Sequence, residues 1–231
     1  MFWEDDDQPQ SDQRQAAAVD LSFALHGRCL PSAYASVLAT ALEPHVSGYV
    51  TIEQLGVRVT HIPDSGHGWW RDKQQPVLLS RRTRLLLRAE RSLAKHLEQL
   101  SGAQLELGEM RLRLGAVRAH ELEKAETLYA HRVIDPVCSV GDSDDSDEQE
   151  KDFMFAMRDQ LYELGVRPRR MLCGRREWLS TPEGWVVTRS LLVDGMAQEA
   201  GLRLQECGLG QGRQWGCGLF VPHKGPANTS Q

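Results

Sequence analysis

Gly208-Leu209-Gly210-Gln211-Gly212-Arg213-Gln214-Trp215-Gly216-Cys217-Gly218 places five glycines within eleven residues, with Arg213 and Trp215 between them. Glycine admits positive φ and lets a backbone approach its neighbour or ligand closely. Successive exposed N–H groups in such a loop form an anion-binding nest. The stretch follows a helical pattern, Ala197–Glu206, and leads into a short strand, Cys217–Val221. A dinucleotide-binding turn has the opposite order, strand before and helix after, so that reading fails. No Gly-Lys-Ser/Thr follows, which excludes a Walker A loop. One or two glycines suffice for a helix-to-strand turn; five point to phosphate contact.

Upstream of this loop, Thr127–Ile134 alternates as a strand and Lys151–Leu164 repeats apolar residues at helical spacing. Arg169–Leu179 and Trp185–Val193 read as paired strands across the turn Thr181-Pro182-Glu183-Gly184. The N-terminal half gives the same order: strand Val19–His26, helix Pro31–Glu43 stopped by Pro44, strands Gly56–Ile62 and Val77–Arg88, helix Glu90–Leu100, and a strand or hairpin Gln104–Leu114. Two β-α-β-β-α-β units predict an α+β fold of tandem ferredoxin-like (RRM-like) domains, 19–118 and 119–225. Residues 1–18 read as a disordered acidic tail, 141–150 as an acidic solvated loop and 226–231 as a second tail.

The 231-residue chain carries a formal charge of −5, unevenly spread. Residues 1–20 and 142–152 hold almost all of the surplus acid, and the remainder is net basic, with 22 arginines and 5 lysines in the whole chain. Arginine forks grip phosphate bidentately and stack on bases, which suits a nucleic-acid partner. No apolar run approaches a membrane span and the N-terminus lacks a signal-peptide pattern, so a cytoplasmic protein without membrane contact is expected. Five cysteines without a CxxC pair support neither a disulfide framework nor a zinc knuckle, and no metal or cofactor is expected.

The Gly-hydrophobic-Gly, five residues including a basic one, Gly-hydrophobic-Gly pattern of 208–218 resembles the C-terminal glycine-rich loop of the CRISPR repeat endoribonucleases, in the repeat-associated mysterious protein (RAMP) superfamily. Ser65–Arg71 with Leu79–Leu85, Pro168–Arg175 and Leu219–Gly225 are similar to one branch of that family. The resemblance covers about residues 19–225. It implies binding of the CRISPR repeat, commonly a stem-loop, and cleavage at its 3′ base without metal. The ribose 2′-OH attacks the phosphorus, leaving a 2′,3′-cyclic phosphate on mature crRNA. It also implies association with other effector subunits.

That chemistry needs a general base, a general acid and a cation near the phosphorane. Histidine titrates near neutrality and suits the proton transfers. In the family the key histidine lies on or just after the first helix, and here Gly27 to Pro44 holds none, leaving His45 and His26 as flanking candidates. Tyr34 is a second kind of candidate on that helix, about three turns or 16 Å from His45. For RNA binding the sequence offers Arg81, Arg82, Arg84 and Arg88, with the last three on one strand face; Trp69, Trp70 and Arg71; Arg169, Arg170 and Arg175; Gly208, Gly210, Arg213, Gly216 and Gly218; and Lys224. A non-catalytic subunit that holds the repeat hairpin would present the same surface. A generic tandem RRM protein is disfavoured by the missing RNP1 motif, and a metal nuclease by acids that cluster away from the histidines.

Overall fold

The computed structural model describes residues 15–46, 50–60, 76–138 and 146–224. In chain order these form β1 (Ala18–His26), β2 (Cys29–Leu30), α1 (Tyr34–Leu42), β3 (Gly56–Thr60), β4 (Val77–Leu78), β5 (Arg84–Glu90), α2 (Ala94–Glu98), β6 (Gln104–Leu107) and β7 (Met110–Glu121). The C-terminal half adds β8 (Thr127–Ile134), α3 (Asp147–Glu163), β9 (Arg170–Cys173), β10 (Glu177–Thr181), β11 (Gly184–Asp194), α4 (Gln198–Cys207) and β12 (Phe220–Pro222). One sheet has the order β3-β5-β1-β7-β6. The second runs β10-β11-β8-β12, with β9 also on β11. Each is the antiparallel ferredoxin-like arrangement that two β-α-β-β-α-β units produce. No helix among the described residues is long and apolar enough to cross a membrane.

Each sheet buries one face. Leu21, Phe23 and Leu25 of β1 alternate into a core with Leu85 and Leu87 of β5 and Leu38 and Leu42 of α1. The second core joins Leu128, Ala130 and Val133 of β8 to Phe153, Met157 and Leu161 of α3. The three α3 residues lie at i, i+4 and i+8, one helical stripe.

Several boundaries differ from the sequence reading. Helix α1 starts at Tyr34, after Pro31 rather than around it. The strand expected over Val77–Arg88 is broken by a turn in which the Thr83 N–H donates to the Ser80 carbonyl at 3.1 Å and the Ser80 N–H to Thr83 Oγ1 at 3.0 Å. Arg81 and Arg82 ride on that turn, so Arg82 does not share a strand face with Arg84 and Arg88. Arg169–Leu179 splits into β9 and β10, each pairing with a different stretch of β11. The helix expected over Glu90–Leu100 shrinks to a 3₁₀ turn followed by the five-residue α2. The acidic run turns helical at Asp147, because Ser146 and Gln149 form a capping box and the acids Asp147, Glu148 and Glu150 sit at the helix's positive end. Ala16 and Ala18 are not a tail; they pack with Leu122 and Leu202.

The halves meet on the open face of the first sheet. Across it, Gly56 lies opposite Arg88 and Arg88 opposite Asp20. Gly56 leaves a notch that the Leu219 side chain fills, since a Cβ there would come within 2.5 Å of Leu219 Cδ2. Arg88 is the lock. It is 1% exposed, forks onto both Asp20 carboxylate oxygens at 2.7 and 2.8 Å, and donates to the carbonyls of Phe220 at 2.6 Å and Gln205 at 3.2 Å. One N-terminal side chain thus holds both α4 and β12. The expectation that Arg88 faces RNA is corrected here: its fork is spent inside the protein.

Candidate active site and nucleic-acid interface

Helix α1 ends in a 3₁₀ turn, Glu43–His45, with Pro44 in its first turn. This leaves His45 exposed at the mouth of a groove of about 670 Å³. Ser36, Thr40 and Ala41 of α1 form one wall, Gln104 and Glu106 of β6 the second, and Thr181 and Pro182 of the β10–β11 turn the third. The groove therefore exists only where the two halves meet. Of the sequence candidates, His45 is the one lining it. His26 ends β1 opposite Arg113, on the open sheet face, with its ring against Gly115. Tyr34 is half-buried at the other end of α1, against Ala35, Leu179 and Cys217. Helix and 3₁₀ turn run continuously between Tyr34 and His45, so the two do not converge on one phosphate.

The glycine-rich loop folds over β3 and α1 at the same junction, with Trp215 and Cys217 packed near Ala35 and Leu179. Gly208, Gly210, Gly212, Gly216 and Gly218 all have positive φ, between 66° and 82°. Most of the loop's amides are already used. Gly208 donates to Leu204, Leu209 to Gly218, Gly216 to Arg213, and Gly218 to Arg132, all through backbone carbonyls. The expected contacts of Gly208, Gly216 and Gly218 with phosphate are corrected accordingly: these residues shape the loop from inside. Gly210 is exposed beside Gln211 and keeps an outward backbone. Arg213 Nη1 donates to the Glu206 and Cys207 carbonyls and caps α4. Burial pushes the Cys217 thiol up to about 12, so no thiolate forms there at neutral pH.

A Cβ at Gly218 would run into the Leu209 carbonyl, whereas Gly102, also at positive φ, faces open space. Gly102→Ala carries the left-handed strain alone, about 1–2 kcal/mol. Gly218→Ala adds a backbone collision and is expected to cost about 1–3 kcal/mol more. Denaturant titration of the two variants checks this.

The remaining RNA candidates divide by their partners. Arg81, Arg82, Arg169, Arg175 and Lys224 are exposed. Arg84 turns its Nη1 onto the carbonyls of Arg81 and Thr83 at 2.8 and 2.9 Å. Arg170 pairs with Asp194 at 2.7 Å. The Thr127 hydroxyl and then Arg170 hold the Asp194 carboxyl below its usual range, against the opposing effect of burial. Trp69, Trp70 and Arg71 lie outside the described residues.

Sequence reasoning missed a cationic seam beside the loop. The Nε atoms of Arg58 on β3, Arg132 on β8 and Arg213 are buried without a hydrogen-bond partner among the described residues. The signal was present: in Val57-Arg58-Val59 the arginine alternates onto the open sheet face, where β8 of the other half comes close enough for Arg58 to act on His131. Among the described residues no group of three His, Cys, Asp or Glu side chains is placed to hold a metal ion.

This fold and its loop-bearing junction define a tandem ferredoxin-like protein. A solved structure described as a RAMP protein binding different RNA substrates superposes with a TM-score of 0.61 at 14% identity, over 89% of this chain and all of that one. A CRISPR-associated Cas6 structure gives 0.56 at 10% identity, over 91% and 100%. Residues 19–225 match the family model of Cas6 CRISPR proteins, and the chain belongs to that family. The CRISPR-associated endonuclease Cas6 of Myxococcus xanthus (strain DK1622) is 31% identical over 205 residues, 88% of this chain and 81% of the relative.

Proposed function

We propose that this chain is a metal-independent endoribonuclease that binds CRISPR repeat RNA and cuts the precursor transcript into mature crRNA. The observation carrying the reading is a solvent-open histidine, His45, in a groove that both halves build. Membership of the Cas6 family supports repeat RNA as the substrate class. The RNA lies with its scissile phosphate at the groove mouth. His45 takes the proton of the neighbouring 2′-OH; the 2′-oxygen then bonds to phosphorus as the bond to the 5′-oxygen breaks, and solvent protonates that oxygen. The products are a 2′,3′-cyclic phosphate and a 5′-OH. Proton transfer by a positioned histidine supplies about 10²–10⁴-fold of rate. Arg81, Arg82, Arg169, Arg175, Lys224 and the arc at Gly210 serve as phosphate contacts along the stem-loop, and further effector subunits hold the product.

Incubation of repeat RNA with the protein in excess EDTA tests the reading. Unchanged cleavage with a cyclic phosphate end is expected. Tight binding with no cut would identify a hairpin-holding subunit instead, and cleavage abolished by EDTA would contradict the metal-free chemistry.

A further inference from the structure

We propose that Glu106 of β6 is a specificity-determining residue, which reads the donor edge of an unpaired guanine, the first nucleotide past the cut. The inference deepens the proposed function and rests on it for the presence of RNA at the groove mouth.

The chemistry of the His45 groove is one-sided. Among the described residues its lining contains no lysine and no arginine, so a phosphate would find no counter-charge inside it. Its hydroxyl protons are already spent. Ser36 donates to the Ala33 carbonyl at 3.2 Å, Thr40 to the Ser36 carbonyl at 3.2 Å and Thr181 to the Gly184 carbonyl at 2.8 Å. Each hydroxyl has a single proton, so what it still offers is lone pairs. The Glu106 carboxylate adds further acceptors. A group that fits this lining brings donors of its own. Val37, Ala41, Pro44 and Pro182 supply apolar walls for the faces of a flat ring, and the volume, about 670 Å³, is that of a small-molecule site.

Glu106 is placed to receive those donors. Gln104 and Glu106 alternate with buried Leu105 and Leu107 on the edge strand β6, so both project from one face into the groove. Arg111 stands opposite Glu106 in the β6–β7 ladder, and its Nε lies 3.8 Å from a carboxylate oxygen, beyond hydrogen-bond reach. Of the four RNA bases, guanine alone carries two adjacent donors, N1–H and the 2-amino group, on its Watson–Crick edge. A carboxylate accepts such a pair as a fork, whereas adenine, cytosine and uracil each offer one donor group there. The position follows from the cut. At the 3′ base of a hairpin the nucleotide before the cut closes the stem, while the one after it is single-stranded and free to splay its base. That nucleotide carries the leaving 5′-oxygen, so its base lies one sugar away from the phosphate at His45.

The test uses the full chain and repeat RNAs that carry guanine, inosine, adenine, cytosine or uracil at that one position. Single-turnover cleavage gives the rates, and the same RNAs with a 2′-deoxy cut site give the affinities. Wild type is expected to favour guanine over the other natural bases by about 5–150-fold. Inosine lacks only the 2-amino group and is expected to lose about 10-fold or more, the loss of one hydrogen bond to a charged acceptor. Glu106→Gln presents one acceptor in place of two, so the gap between guanine and inosine closes to within about twofold. Glu109→Gln, at the exposed β6–β7 turn outside the groove lining, is expected to match wild type, and both variants to keep its thermal midpoint. A guanine preference that survives Glu106→Gln would overturn the proposal and leave the groove to a basic side chain of a partner protein. If wild type handles repeat RNA no better than unrelated RNA, the functional reading fails and takes this site with it. If it binds or cuts the repeat without preference at that base, only this site fails.

Discussion

His45→Ala is expected to slow single-turnover cleavage of repeat RNA by about 10²–10⁴-fold while leaving RNA affinity within a small factor. The split between rate and binding follows from position. His45 stands at the end of α1 on a 3₁₀ turn, exposed in the lining of the groove. His26→Ala is the matched control. Its ring lies against Gly115 at the far end of β1, outside that groove, so its removal leaves the rate near wild type. Quench-flow or manual time courses with enzyme in excess, alongside anisotropy binding, separate the two. Equal rates for wild type and His45→Ala would remove His45 from the chemistry.

Arg88→Ala is expected to cost about 3–5 kcal/mol of stability. For a chain of this size that lowers the thermal midpoint by about 6–20 °C. The cost arises because Asp20 stays buried with no partner and the Phe220 and Gln205 carbonyls lose their donor. Arg88→Lys recovers only part of it, since one ammonium cannot reproduce a fork that reaches a carboxylate and two carbonyls. Differential scanning calorimetry reads the effect directly. A normal midpoint with lost RNA affinity would instead return Arg88 to the RNA surface.

Arg88 shows where the sequence was legible and where it was not. The two β-α-β-β-α-β units could be read because Leu21, Phe23 and Leu25, or Phe153, Met157 and Leu161, repeat at the strand or helix period. Periodicity separates the inner face of a sheet from the other one but does not say whether the other face meets water or a second half of the chain. On that ground Arg88 reads as an RNA-facing residue beside Arg82 and Arg84. A clue lay in its partner: Asp20 and Arg88 are lone opposite charges within apolar strands, Val19-Asp20-Leu21 and Leu87-Arg88-Ala89. The loop at 208–218 was legible in position and conformation, yet its glycines serve close packing more than exposed amides. The His45 groove could be placed only at one end, because its third wall, Thr181 and Pro182, comes from the other half of the chain. The alternation of Val57-Arg58-Val59 puts Arg58 on the open face of its sheet but does not say that the other half of the chain covers that face.

The measurement bearing most directly on the central claim compares two repeat RNAs that differ by one atom, a ribose or a 2′-deoxyribose at the cut site, under single-turnover conditions. Attack by the 2′-OH predicts that the ribose substrate is cut to a 2′,3′-cyclic phosphate and that the deoxy substrate binds equally well but stays intact. Cleavage of the deoxy substrate at a comparable rate would show that another nucleophile attacks the phosphorus, and would contradict the mechanism assigned to His45.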